Sequence, residues 1–406
     1  MSRPHRPLPS LGALYAAQGA AFGFLTNVLV PWLAASGASI EQQTTLFQLA
    51  SVPWLLKLPV AIALDRLRLD VRRSAAVFMV GIAVTLGVLA FTTDDLAAVS
   101  WLGWAWLAIN LLLASQDVAA DALAIDQVEP AQRGRANGIM WCGHHVGAAV
   151  VGTMLLGAAV GRVGMNGALL VLGALFVVVA VAIGRTRQPR TTKPRGVGRG
   201  AGMLLRQPRT WLVAGVAGVV LAADIATGAL SGAFLINRLQ WSMETITQTL
   251  PLAILGGNVV GHLVAAAVVD RLGHAKAAAL GSVSLGLLWA GFALVPGLWS
   301  SMTFMLTFIV VQVLATAVMY VGLYAWLMNH AAPQLRATHY AVLTSLLNVP
   351  RAWVPGFAPA LLASLAFEGV YAVAGFYQVA VGVLLFALAR RLVSPPANAG
   401  SGVEQV

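Results

Sequence analysis

The chain has 406 residues, 59% of them hydrophobic and only 10% charged, with a mean hydropathy of +0.82; a soluble domain carries about 25% charged residues. That composition excludes an ordinary soluble enzyme, and the dominance of Ala, Leu and Gly without strand alternation excludes a barrel, which leaves an all-α membrane protein. One cysteine, Cys142, excludes a disulfide framework and a cysteine-based zinc site, and the net charge of +11 is distributed as membrane topology distributes it, not as a nucleic-acid footprint.

Twelve apolar runs approach the roughly 20 residues that a crossing helix needs. They cover 10–34, 42–64, 74–92, 100–126, 136–160, 164–184, 211–236, 245–268, 276–295, 299–327, 338–364 and 370–390. With the N-terminus inside, 21 of the 25 cations fall in inside segments; Arg162 and Arg238 fall outside, and Lys57 and Arg351 lie within spans. This asymmetry predicts a cytoplasmic location for both termini and contact with anionic lipid. The first span lacks a small-residue cleavage site, so no cleaved signal peptide is predicted. Residues 185–210 form a basic linker, with eight cations and no acid between Arg185 and Arg209, a composition that cannot bury a core. The linker divides a six-helix unit at 1–184 from a second at 211–391, followed by a disordered cytoplasmic tail at 392–406.

In the first span, Gln18 either lines a cavity or bonds a neighbouring helix. In the second, Lys57 stands between Pro53 and Pro59, about 10 Å above the inner end at 1.5 Å per residue. It either snorkels inward or pairs with an acid at the same depth. The third span is uniformly apolar and reads as scaffold. The fourth carries Asp117, Asp121 and Asp126. Ionisable groups at that depth need a compensating use. Asp117 lies level with Lys57. Asp117 and Asp121 are four apart and share a face, so two like charges compete with one lysine, which is what a proton-coupled switch requires. The competing reading is a static Lys57–Asp117 bridge. Asp126 is rotated away and groups with Glu129, Arg133 and Arg135 as a cytoplasmic charge cluster.

The fifth span holds His144 and His145. Neighbouring residues point about 100° apart, so one of them faces any given site, either as a proton partner of Asp117 or satisfied by a carbonyl. No third ligand stands at helical spacing, so no metal site and no cofactor are predicted. Gly147, Gly152 and Gly157 predict close helix packing.

In the second half, Asp224 on the seventh span and Arg351 on the eleventh lie at equal depth, and Asn348 precedes Arg351. The pair either bond each other or leave Arg351 to recognise an anionic substrate. Asn258 and His262 share a face of the eighth span. Gln312, Thr316, Tyr320 and Tyr324 form an i, i+4, i+8, i+12 stripe on the tenth, as a wet cavity wall would.

The halves echo each other. Ala63-Leu-Asp65-Arg66-Leu67 closes the second span and Val268-Val-Asp270-Arg271-Leu272-Gly273 the eighth. Glu129-Pro130 through Arg135 opens the fifth, and Ala332-Pro333 through Arg336 the eleventh. Two parallel six-helix repeats with these turns resemble the major facilitator superfamily, although Arg68 stands where its first loop motif has glycine. Gln116-Asp117-x3-Asp121-Ala122-x3-Asp126 followed by Arg133-Gly134 is similar to the fourth-helix signature of the AmpG-type muropeptide permeases and related acetyl-CoA transporters. Pro53-x3-Lys57 through Asp65-Arg66 resembles their second helix. Ala337-Thr338-His339-Tyr340-Ala341-x3-Ser345 through Arg351 resembles a third stretch, with His339 in place of glutamine and Pro350 in place of glycine. The resemblance implies proton-driven import across the bacterial inner membrane, with muropeptides carried by some members and siderophores by close relatives.

The expectation is a monomeric, non-enzymatic proton symporter of the major facilitator fold, partnered by a small-molecule substrate, protons and lipid. Coupling falls to Lys57, Asp117, Asp121 and one of His144 or His145. Substrate contacts fall to Gln18, Asp224, Gln312, Tyr320, Tyr324, Asn348 and Arg351. The cytoplasmic gate falls to Asp65, Arg66, Asp126, Arg133, Arg135, Asp270 and Arg271. A sugar–peptide importer is expected first and a ferric-siderophore importer second. The third reading, a non-transporting sensor, is disfavoured by charges in both halves.

Overall fold

The computed structural model describes residues 8–35, 52–54, 57–67, 69–92, 99–185, 206–241, 250–332 and 335–391. The linker from 186 to 205, the tail and the side chain of Arg351 lie outside the described set. Every regular element among the described residues is a helix, as hydrocarbon requires of backbone that must satisfy its polar groups within its own segment.

The first helix, α1, runs Leu8–Phe24, passes a π-helical turn at Leu25–Leu29 and continues as Val30–Ala35. The described part of α2 is Leu58–Arg66, with Pro59 in its first turn, where a missing N–H does no harm. Next come α3 (Val71–Thr92) and α4 (Val99–Gln127). After a 3-10 turn, α5 begins as Arg133–Val146 and passes a π-helical stretch at Gly147–Leu155. The following helical run, Leu156–Arg185, is broken at Gly164, whose φ of 72° favours a residue without Cβ; the part beyond the break is α6. In the second half, α7 spans Pro208–Ala233 and a π-helical turn, Phe234–Arg238. It is followed by α8 (Leu250–Leu272), α9 (His274–Ala293) and α10 (Met302–His330). The last run, Arg336–Arg391, is broken at Ala366 into α11 and α12.

Nine described helices are long and apolar enough to cross a membrane. One of them, Pro130–Arg185, holds 56 residues, enough for two crossings, and Gly164 divides it. Counting α11 and the second span, of which α2 is a described part, gives the twelve expected crossings; the break at Ala366 falls in the gap expected between the last two spans, and that at Gly164 on the first residue of the expected sixth.

Small residues set the helix spacing. On α1 and α5 they interlock: a Cβ at Gly19 would lie 2.0 Å from the carbonyl oxygen of His144, and one at Gly147 would lie 2.0 Å from that of Ala16. Gly157 faces only the Val28 side chain, at 3.6 Å, so it does not share in the close contact expected of it. The outer helices show apolar faces to lipid, as at Val77, Val84 and Phe91 of α3. The halves meet where α5 packs on α8 and α10, and where α11 packs on α2 and α4.

Candidate functional site

Three charged side chains meet inside the first half. Lys57, just before the Leu58–Arg66 segment of α2, places Nζ 3.1 Å from Asp117 Oδ2 on α4, with the two side chains only 6% and 9% exposed. Because α1 runs antiparallel to α4, Gln18 and Tyr15 meet the two aspartates in reverse order. Gln18 Nε2 donates to Asp117 Oδ1 at 3.3 Å, and the Tyr15 hydroxyl donates to Asp121 Oδ1 at 2.8 Å. Asp117 thus has a full counter-charge and an amide, whereas the hydrogen-bond donor to Asp121 is a neutral phenol. A buried ion needs pairing and hydrogen bonds together, so the two carboxyls of this face are held unequally.

The sequence leaves open whether Gln18 lines a cavity or bonds a helix; its amide does the second. It also allows one of two histidines to face the site. The structure divides them. His144 packs 5.8 Å from Phe22 of α1, while His145 sits 4.9 Å from His262 of α8. His262 Nδ1 is 2.7 Å from the carbonyl oxygen of its helix neighbour Asn258. Among the described residues no three His, Cys, Asp or Glu side chains converge as metal ligands would.

Trp141, half-buried on α5, stands where the halves meet. Its ring centroid lies 6.4 Å from Tyr15, 6.3 Å from His262, 6.4 Å from Tyr320 and 5.6 Å from Tyr324. Tyr320 and Tyr324 stack at 6.2 Å, and the Tyr320 hydroxyl donates to Asp224 Oδ2 at 3.0 Å. These half-buried rings, with their polar ends, form one wall between the halves.

Two expected wall residues are elsewhere. Gln312 accepts from Trp289 Nε1 of α9 at 3.1 Å, because a stripe of fourfold spacing drifts round a helix of 3.6 residues per turn. Asn348 donates to the carbonyl oxygen of Trp54 at 3.4 Å and so links α11 to the second span. The expected Asp224–Arg351 contact involves a side chain outside the described set.

At the end carrying the two Asp-Arg-Leu turns, the halves exchange helix caps. Asp65 Oδ2 accepts from the backbone N–H of Thr338 at 2.7 Å, and Asp270 Oδ1 accepts from that of Arg135 at 3.1 Å. Each acid thereby satisfies an orphan donor at the positive end of a helix in the other half. Buried Arg133 donates to the carbonyl oxygens of Met328, at 2.9 Å, and Ile125, at 3.1 Å, and also bonds Asn329 Oδ1. Asp126 pairs with Arg336 of α11. The cytoplasmic charge cluster expected of Asp126, Glu129, Arg133 and Arg135 is therefore corrected. Asp126 is drawn to the other half, Arg133 to carbonyls, and Arg135 contributes its backbone. Arg66 and Arg271 are exposed and take no part in the caps.

Sequence reasoning missed Tyr15, Trp141, Asn329 and Arg336. Tyr15 had a signal, since it lies three residues before Gln18 on one face of α1. Trp141 had none, because its partners come from other helices.

The family model of the Major Facilitator Superfamily matches residues 11–355. Among similar solved structures, the Escherichia coli fucose:proton symporter is 12% identical, with a TM-score of 0.74, over 94% of this chain and 98% of its own. A bacterial homologue of the iron transporter ferroportin, in an outward-facing state, is 16% identical, with a TM-score of 0.70, over 95% and 100%. The human organic anion transporter MFSD10 is 16% identical, with a TM-score of 0.68, over 95% and 100%. At these identities the likeness is one of fold.

Proposed function

The chain belongs to the Major Facilitator Superfamily and is a multi-pass membrane transporter, not an enzyme; we propose that it imports a small polar solute together with protons across the bacterial inner membrane, by alternating access between its two halves. The observation that carries this reading is the unequal holding of the two carboxyls of α4. Asp117 is neutralised by Lys57, and Asp121, one turn away, has a phenol as its donor among the described residues. A buried carboxyl without its own counter-ion is the one best suited to take up and give back a proton.

The solute we favour is a muropeptide-type sugar–peptide. The AmpG-like stretches around Asp117, Lys57 and Tyr340 support it, as does the wall of Trp141, Tyr320 and Tyr324, since aromatic faces suit the C–H face of a sugar ring. Asp224 and Arg351 remain our candidates for its polar groups. The caps of Asp65 and Asp270, with Asp126–Arg336, would be the cytoplasmic gate. The cation asymmetry supports cytoplasmic termini.

The test is uptake by inside-in vesicles offered labelled anhydromuropeptide or ferric siderophore, with and without an imposed proton gradient. Gradient-dependent accumulation of the first is expected. Accumulation of the siderophore alone would reassign the solute, accumulation indifferent to the gradient would remove the proton from the mechanism, and gradient-driven accumulation left intact by Asp117→Asn would show that the coupling site is wrong.

A further inference from the structure

Tyr15 occupies a place that neither the substrate wall nor the ion pair explains. Its hydroxyl is spent on Asp121 at 2.8 Å, and its ring meets the edge of Trp141 at 6.4 Å with the planes 66° apart. Trp141 in turn meets Tyr320, whose hydroxyl is bonded to Asp224. An unbroken line of side chains therefore runs from a carboxyl of one half to a carboxyl of the other, through rings at contact distance. Tyr15 is the last member on the proton side and is buried at 7% exposure, whereas Trp141 is half-buried. A solute entering between the halves would touch Trp141 and would not touch Tyr15.

We propose that Tyr15 is a positioning residue for proton exchange at Asp121, and that whatever rests on Trp141 sets how well Tyr15 donates. The proposal rests on reading Asp121 as the proton carrier. A phenol that donates to a carboxylate favours the charged form; a phenol turned away no longer does. The ring of Tyr15 rests against the indole, so a solute that displaces Trp141 changes the support of the donor that Asp121 feels. Other groups around Asp121 are fixed differently. Asp117 lies on its own helix and is paired, Lys57 is pinned to Asp117, and Tyr340 of α11 lies nearby. Among the described residues, Tyr15 is the one of these in ring contact with Trp141.

The test needs no identified solute. Purified full-length protein in lipid is titrated with pH while the carboxyl C=O stretch is followed by infrared spectroscopy. The band lost in Asp121→Asn identifies the residue. The phenol's hydrogen bond favours the charged carboxyl, so Tyr15→Phe should move the midpoint of that band by about one to two units toward higher pH. Trp141→Ala should move it the same way by less, and Trp141→Phe, which keeps a ring, should leave it near wild type. A band that titrates in wild type and has the same midpoint in Tyr15→Phe overturns the proposal and leaves the proton site standing. The absence of any titrating band that Asp121→Asn removes overturns the proton site and the proposal with it. Should Tyr15→Phe fail to fold, the contrast between Trp141→Ala and Trp141→Phe decides, and identical midpoints there sink the idea.

Discussion

Lys57→Met tests whether the buried pair exists only to hold helices together. The substitution keeps the stem and removes the charge 3.1 Å from Asp117. Asp117 would be left 6% exposed, with the Gln18 amide at 3.3 Å as its remaining donor among those described. Stranding one member of a buried pair costs about 3–5 kcal/mol. Replacing both members with neutral groups of similar shape is often close to neutral, so Lys57→Met with Asp117→Asn should regain most of the lost thermal stability in detergent. Stability and transport should then part company. If the pair also serves coupling, the stable double variant still exchanges labelled solute across vesicles at equal pH but no longer accumulates it on a proton gradient. A double variant that regains gradient-driven accumulation would show that the pair is structural only. A Lys57→Met protein as stable as wild type would refute the burial argument itself, since it would mean that water reaches Asp117.

Three further outcomes follow from the packing. Asp65→Ala or Asp270→Ala each removes one cap, worth about 0.5–2 kcal/mol, and should raise labelling of Cys142, the chain's one cysteine, by an impermeant maleimide applied from the capped end; unchanged labelling would mean that the caps do not hold that end closed. Gly147→Ala should abolish a monodisperse peak on size exclusion, because its Cβ would meet a carbonyl oxygen at 2.0 Å, whereas Gly157→Ala should be tolerated; equal behaviour of the two would contradict the α1–α5 contact. Tyr324→Ala should raise the KM for transported solute by about tenfold, a loss on the order of 1.4 kcal/mol, while Gln312→Leu should leave KM alone because its amide is engaged with Trp289. A raised KM in Gln312→Leu would return that residue to the cavity.

The parts of this molecule that were legible in the sequence are those fixed by one helix or by solvent. Span positions follow from apolar length: the break at Ala366 falls in the expected gap, and that at Gly164 within one residue of it. Equal depth in the bilayer paired Lys57 with Asp117 before any contact was known, because depth is a coordinate that counting residues supplies. Rotation about a helix axis against a neighbour is not supplied that way. Gln312 and Tyr324 are twelve apart, more than three turns, so the slow drift of a four-residue repeat carried one to α9 while the other stayed at the wall. Trp141 and Arg336 were missed because their roles exist only where two halves touch, and no pattern within either half records that contact. The loop motifs were legible as repeats but not as mechanism: their conspicuous arginines, Arg66 and Arg271, are exposed, and the caps belong to Asp65 and Asp270.

The two kinds of contact at the capped end differ in strength, and the difference decides which of them gates. Each cap joins one carboxylate to one backbone N–H and is worth about 0.5–2 kcal/mol. Asp270 is exposed, so water can replace what it loses. The Asp126–Arg336 pair has side chains only 8% and 15% exposed, and stranding either partner costs about 3–5 kcal/mol. Opening that end by parting α4 from α11 must therefore solvate the ion pair, whereas the cap of exposed Asp270 can be exchanged for water almost as it is. The pair is then the strongest of the contacts that hold that end closed, and the caps add smaller contributions beside it. It also lies on α4, the helix that carries Asp117 and Asp121, nine and five residues from them in the sequence. A shift of α4 that follows protonation of Asp121 would bear directly on Asp126, along one rigid helix, with no loop between the proton site and the gate.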